Sequence, residues 1–210
     1  MNKRELAILL SKLDSSKDKN VKLEQYQTDS EIAGEVIWNA FMLGDIEGKV
    51  IADFGCGNGI LGIGALVLGA SKATLVDIDE KAISIAKENL KKAANGKKLN
   101  ALFENKNISK VKGRFDTVLQ NPPFGTKTEH ADREFLLKAM ECSDVVYSFH
   151  KSSTESFVKA IAKDNGFEVT HKWLYKFPLK HSYEFHRKKV AYADVGVYRL
   201  ARAIHQCILW

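Results

Sequence analysis

The chain has 210 residues, 45% of them hydrophobic and 28% charged, a composition that suits one soluble domain with a full apolar core. Its net charge of +6 favours an anionic partner such as nucleic acid. Three cysteines, Cys56, Cys142 and Cys207, stand far apart with no C-x-x-C pair, and the six histidines lack metal-ligand spacing. This argues against a disulfide framework or a metal site and for thiols buried as small hydrophobes. The N-terminal run carries charges within its apolar stretch, and no segment is long enough to span a bilayer, so a cytoplasmic protein is expected.

In chain order, residues 2–14 form a short amphipathic helix, 23–28 (LEQYQT) a polar connection, and 29–43 a second helix. Thr28, with Glu31 three residues later, fits a capping box. Strands and helices then alternate: strand 49–54, helix 59–68, strand 73–78, helix 80–94, a weaker strand 101–105, strand 115–120, helix 131–142, strand 144–149 and helix 152–165. Residues 167–177 and 190–200 alternate in the manner of a closing antiparallel pair. The pattern predicts an α/β fold with a mostly parallel sheet and helices on both faces. Without a linker or repeat, the expected organisation is a helical N-terminal extension (1–44) packed on a single core domain (45–210).

The first strong motif is DFGCGNG at residues 53–59, directly after a strand and opening a helix. Gly55, Gly57 and Gly59 permit a tight turn and close approach of a ligand to the backbone. The dinucleotide fingerprint needs its third glycine at the position held here by Ile60, and Asp53 would repel a pyrophosphate. That carboxylate instead suits a ligand with an ammonium group and no phosphate, such as S-adenosylmethionine with its sulfonium cation. Asp77, at the end of the second strand, suits the two ribose hydroxyls of an adenosine. Ile78 would pack on the adenine face, and Asp79 falls where a helix cap belongs. In ENKNI (104–108), the turn at Asn107 and Ile108 is a further candidate: the Asn107 carboxamide can accept one hydrogen bond from the adenine amino group, or it is a plain loop residue.

The most specific motif is Asn121-Pro122-Pro123-Phe124, after the fourth strand. The prolines hold the backbone extended and carry no N–H. The Asn121 oxygen and the Pro122 carbonyl can then accept both N–H bonds of a planar NH2, aiming its nitrogen at a methyl donor. Phe124 offers a face on which a flipped base stacks. The bland alternative is a proline turn with a core phenylalanine.

LEQYQT, DFGCGNGILGIGALVLGA, VDIDE, FDTVLQNPPFGTK and VVYSFHKSST together resemble the methyltransferase-like-five family, class I seven-stranded methyltransferases acting on adenine N6 of small-subunit ribosomal RNA in archaea and eukaryotes. The likeness extends from about Leu23 to Tyr198. It implies that Gln25, Thr28, Gly55, Asn58, Ile60, Asp77 and the Asn107 turn line the cofactor site, and that residues 121–124 bind the adenine. It also implies a small zinc-ribbon activator subunit as a partner of the kind eukaryotic relatives use. Asn107 departs from the family pattern, which has an acidic residue there.

His150 and Lys151 (HKSST, 150–154) either contact RNA phosphate or begin a helix capped by Ser152 or Ser153. In KHSYEFHRKK (180–189), Tyr183, His186, Arg187 and Lys188 suit base stacking and phosphate contact, against the alternative of a solvated hairpin loop. A protein glutamine-amide methyltransferase and a non-catalytic RNA-binding module are the competing functions. The basic charge disfavours the first, and the intact glycine loop with NPPF disfavours the second.

Overall fold

The computed structural model of the protein describes residues 1–14, 28–123, 131–179 and 191–203. Its centre is a seven-stranded sheet in the order β3-β2-β1-β4-β5-β7-β6. β1 (Val50–Phe54), β2 (Lys72–Asp77), β3 (Ala101–Asn105), β4 (Phe115–Gln120) and β5 (Ser143–Lys151) pair in parallel. β7 (Ala191–Arg202) lies antiparallel between β5 and β6 (Phe167–Leu179). β1, β2 and β4 are buried along nearly their whole length, as a parallel sheet covered on both faces requires.

Helices α1 (Lys3–Ser11), α2 (Ser30–Met42) and α3 (Ile60–Val67) cover one face. α3 is apolar all round and buried all round. Leu6 and Leu10 of α1 are 0% and 1% exposed in the same cluster as Ile51, Ile63 and Leu75, so the N-terminal helix is part of the core. α4 (Glu80–Ala94) starts at Asp79, whose side chain accepts from the Lys81 N–H at 2.9 Å, the cap role expected of it. α5 (Ala131–Cys142) and α6 (Glu155–Asp164) cover the other face, around Val118, Leu136, Val146 and Leu200. Cys56 and Cys142 are free thiols buried in these two cores.

Three local expectations need correction. The N-cap of α2 is Asp29 rather than Thr28: its carboxylate accepts from the N–H groups of Glu31 (2.9 Å) and Ile32 (3.3 Å). A carboxylate at a helix N-terminus outcompetes a hydroxyl, because it also meets the positive end of the helix dipole. The capping box lies instead at α1, between Asn2 and Glu5. The fifth strand does not stop at 149. It runs on to Lys151, because β7 offers partners that far, with His150 opposite Gly196 and Lys151 opposite Val195. Residues 152–154 form a 3-10 turn, and α6 begins only at Glu155, without a side-chain cap from Ser152 or Ser153.

Candidate active site

Strand order reverses between β1 and β4, and in open α/β sheets ligands bind at the carboxyl ends beside that point. The register brings the motifs together there. Phe54 pairs with Gln120 on one side and Val76 on the other, so Gly55 follows β1 between Asn121 and Asp77, the next residues along the two flanking chains.

The glycines of the loop divide their work. Gly57 has φ 55°, and a side chain there would point into open space. Its N–H donates to Asp77 Oδ2 at 2.8 Å. Gly59, φ 82°, faces inward: a Cβ would lie 2.9 Å from Ile63, 3.0 Å from Leu75 and 3.1 Å from Ala86. It is a packing position, and Gly57 is not. Gly55, φ 65°, meets the Phe135 ring. Asp77 receives a second N–H, from Asp79 to Oδ1 at 2.9 Å. Burial raises its pKa and those two N–H bonds oppose the rise. Asn105, which the sequence did not single out, braces this corner: its Nδ2 donates to the carbonyls of Asp77 (3.1 Å) and Ile78 (3.0 Å). With its backbone held, Ile78 leaves its side chain 60% exposed at the rim.

Asp53 is 1% exposed behind the loop, and its Oδ2 accepts from the Gly62 N–H at 2.8 Å. Burial pushes its carboxyl up to about 7. A buried carboxyl so placed gains from a nearby cation. An exposed apolar rim, a carboxylate at the end of β2, a glycine backbone open to the cleft and a second carboxyl behind it fit an adenosine cofactor bearing a sulfonium and an amino acid group.

Other expected cofactor residues have different surroundings. The Asn58 side chain is committed to the protein, donating to the Asp14 carbonyl at 3.1 Å and accepting from Ile60 N–H at 3.3 Å. Ile60 itself is buried as the first residue of α3. Asn107 caps a 3-10 turn, its Oδ1 accepting from Ser109 N–H at 2.9 Å, and Ile108 is 6% exposed in the core. The apolar side chain of Ile108 therefore serves packing. Gln25 lies outside the described residues.

At the end of β4 the Asn121 carboxamide is oriented by Thr28. Its Nδ2 donates to the threonine hydroxyl at 3.0 Å. This contact explains why Asp29 capping α2 matters, since it leaves Thr28 available to Asn121. Pro122 is buried and Pro123 half-buried; Phe124 lies outside the described residues. Beneath the motif runs a buried polar chain absent from the sequence-based expectations. Gln120 Nε2 donates to Ser148 Oγ at 3.0 Å, and Ser148 Oγ bonds His150 Nε2 at 2.7 Å.

That chain corrects the expectation for His150. The ring is 1% exposed and set edge-on against Tyr198, and burial lowers its pKa to about 4. A neutral, enclosed imidazole does not reach RNA phosphate. Lys151 is half-buried, its carbonyl accepting from the Thr154 hydroxyl at 2.8 Å. Tyr183, His186, Arg187 and Lys188 lie outside the described residues. Among the described residues, no helix is long and apolar enough to cross a membrane.

Comparison with known proteins agrees with this geometry. Residues 32–143 match the family pattern of the Methyltransferase small domain. The rRNA N(6)-adenosine-methyltransferase METTL5 of Danio rerio is 36% identical, covering 90% of this chain and 93% of its own. The METTL5 of Drosophila melanogaster is 33% identical over 93% and 94% of the two chains. The crystal structure of a candidate RNA methyltransferase from Pyrococcus horikoshii superposes with a TM-score of 0.86 at 43% identity, covering 96% of this chain and 98% of that one. This chain belongs to the Methyltransferase small domain family and to the METTL5 family of rRNA N(6)-adenosine-methyltransferases.

Proposed function

We propose that the protein methylates the N6 amino group of an adenine in ribosomal RNA, that of the small subunit, with S-adenosylmethionine as methyl donor. The observation that carries this is the Asn121 carboxamide, held by Thr28 and set beside the glycine loop at the strand reversal. Asp77 would hold the ribose and Ile78 the adenine ring of the cofactor. Gly55, Gly57 and the Asn107 turn would line it, with Gln25 and Thr28 contributing from the N-terminal side. Asp53 would complement its cationic end. When bound, the cofactor supplies an electrophilic methyl group.

Asn121 Oδ1 and the Pro122 carbonyl would each accept one N–H of the target amine. Holding both hydrogens draws the nitrogen out of conjugation with the ring and fixes its lone pair on one line. The same two dipoles stabilise the positive charge that develops on nitrogen during transfer. Phe124 would stack on the flipped base. Lys151, Tyr183, His186, Arg187 and Lys188 would meet the RNA, in keeping with the net charge of +6. A small zinc-ribbon activator subunit and a cytoplasmic location belong to the same proposal, as the resemblance and access to ribosomal RNA suggest.

The test is incubation with S-adenosylmethionine labelled in its methyl group and a mixture of small-subunit RNA, large-subunit RNA and ribosomal protein. Label should enter small-subunit RNA, and Asn121→Ala should lower kcat about 10²–10³-fold while leaving cofactor affinity within a few-fold. Label in protein would instead favour glutamine-amide methylation.

A further inference from the structure

Asn89 lies on α4, outside every motif, yet it is 0% exposed and its side chain bonds two segments distant in sequence. Its Oδ1 accepts from the Asp14 N–H at 2.8 Å. Its Nδ2 donates to the Asp14 carbonyl at 3.0 Å and to the Asn58 carbonyl at 2.9 Å. Asn58 closes the ring by donating its own Nδ2 to the Asp14 carbonyl at 3.1 Å. Lys92, one turn along α4, pairs with the Asp14 carboxylate. Three of the four hydrogen bonds open to a carboxamide are thus made, all to backbone groups.

The position of this knot matters more than its strength. Asn58 stands between Gly57, whose N–H donates to Asp77, and Gly59, where an added Cβ would meet Ile63, Leu75 and Ala86. Asn89 therefore holds the loop at the peptide of Asn58, between its last two glycines. The other described end of the N-terminal connection, Thr28, is fastened to Asn121. Asp14 and Thr28 therefore tie the extension down on the two sides of the cleft, one at the glycine loop and one at the catalytic motif.

We propose that Asn89 is a positioning residue for cofactor binding, fixing the glycine loop at Asn58 and fastening the N-terminal extension to it at Asp14. The proposal rests on the glycine loop holding S-adenosylmethionine. Asn89→Ala raises the Kd for S-adenosylmethionine at least tenfold by calorimetry and raises its KM to match, while kcat at saturating cofactor and RNA stays within threefold. Val158→Ala, a buried truncation on α6 in the other core cluster, serves as the control for lost core packing and leaves the Kd unchanged.

A second measurement uses the unaltered protein. Binding and closure of the knot are linked reciprocally, so saturating S-adenosylmethionine slows hydrogen exchange of the Asp14 amide that donates to Asn89. A Kd for Asn89→Ala equal to that of the Val158→Ala control overturns the proposal. So does Asp14 exchange indifferent to the cofactor, which decides the matter if Asn89→Ala does not fold. Failure of the unaltered protein to bind S-adenosylmethionine would strike the proposed function itself, a distinguishable outcome.

Discussion

Asp53 is a carboxyl that the fold keeps protonated more readily than water does. Burial pushes it up to about 7, the Gly62 N–H resists, and the charge of Asp77 adds to the rise, against an ordinary value of 3.8. Between those two values the folded, unliganded protein keeps a proton that the unfolded chain has released. The stability Asp53 contributes is therefore present at low pH and lost as pH rises through about 7. A cationic ligand reverses the preference by favouring the carboxylate. Cofactor binding should release the proton, and affinity by calorimetry should be roughly tenfold weaker at pH 6 than at pH 8. Asp53→Asn should flatten that difference; a flat profile for the unaltered protein would show that the carboxyl does not face the cation. At this scale the sequence marks residues where chemistry would force a type at a fixed offset, as the roles proposed for Asp53, Asp77 and Asn121 would. It was silent on Asn89, Asn105 and Gln120. A lone carboxamide looks alike whether solvated or buried, and its burial depends on partners up to 75 residues away.

Among the elements, the glycine loop and the strand ends make the site. Its glycines look equivalent in DFGCGNG, but their surroundings separate them. Gly57→Ala strains a positive φ but meets no neighbour, so the protein should fold with a loss of about 1–2 kcal/mol and lose most cofactor affinity. Gly59→Ala adds a clash with Ile63, Leu75 and Ala86 to the same strain and should cost about 3 kcal/mol or more in denaturant unfolding. Equal losses from the two would contradict this division. Strand and helix periodicity located every element of the parallel half within a few residues, because apolar runs between turn residues have few alternatives. The misjudged boundaries lie where tertiary partners decide. β5 outruns its apolar stretch because β7 pairs with it, and α2 takes its cap from Asp29 while Thr28 bonds Asn121 across the fold.

In the whole molecule, the half of the sheet that carries chemistry is braced by the half that does not. Asp45, in the turn before β1, accepts two hydrogen bonds from Arg199 on β7 at 2.7 and 3.0 Å and one from the Tyr147 hydroxyl at 2.6 Å. The pair is 14% and 8% exposed, so Arg199→Ala strands a buried carboxylate. It should cost about 3 kcal/mol of stability while leaving cofactor affinity at permissive temperature within threefold. None of this long-range pairing can be read from the chain, which shows only an acid in a turn and a base in a strand. The alternation of elements and the motifs at their ends nevertheless define the fold and the cleft. The central claim is that the Asn121–Pro122 grip delivers a methyl group to an exocyclic amine of adenine in ribosomal RNA. The most direct test is mass spectrometry of nucleosides from ribosomal RNA after incubation with the protein and isotopically labelled S-adenosylmethionine. The account predicts labelled N6-methyladenosine, absent with Asn121→Ala; label in any other nucleoside, or N6-methyladenosine undiminished by that substitution, would contradict it.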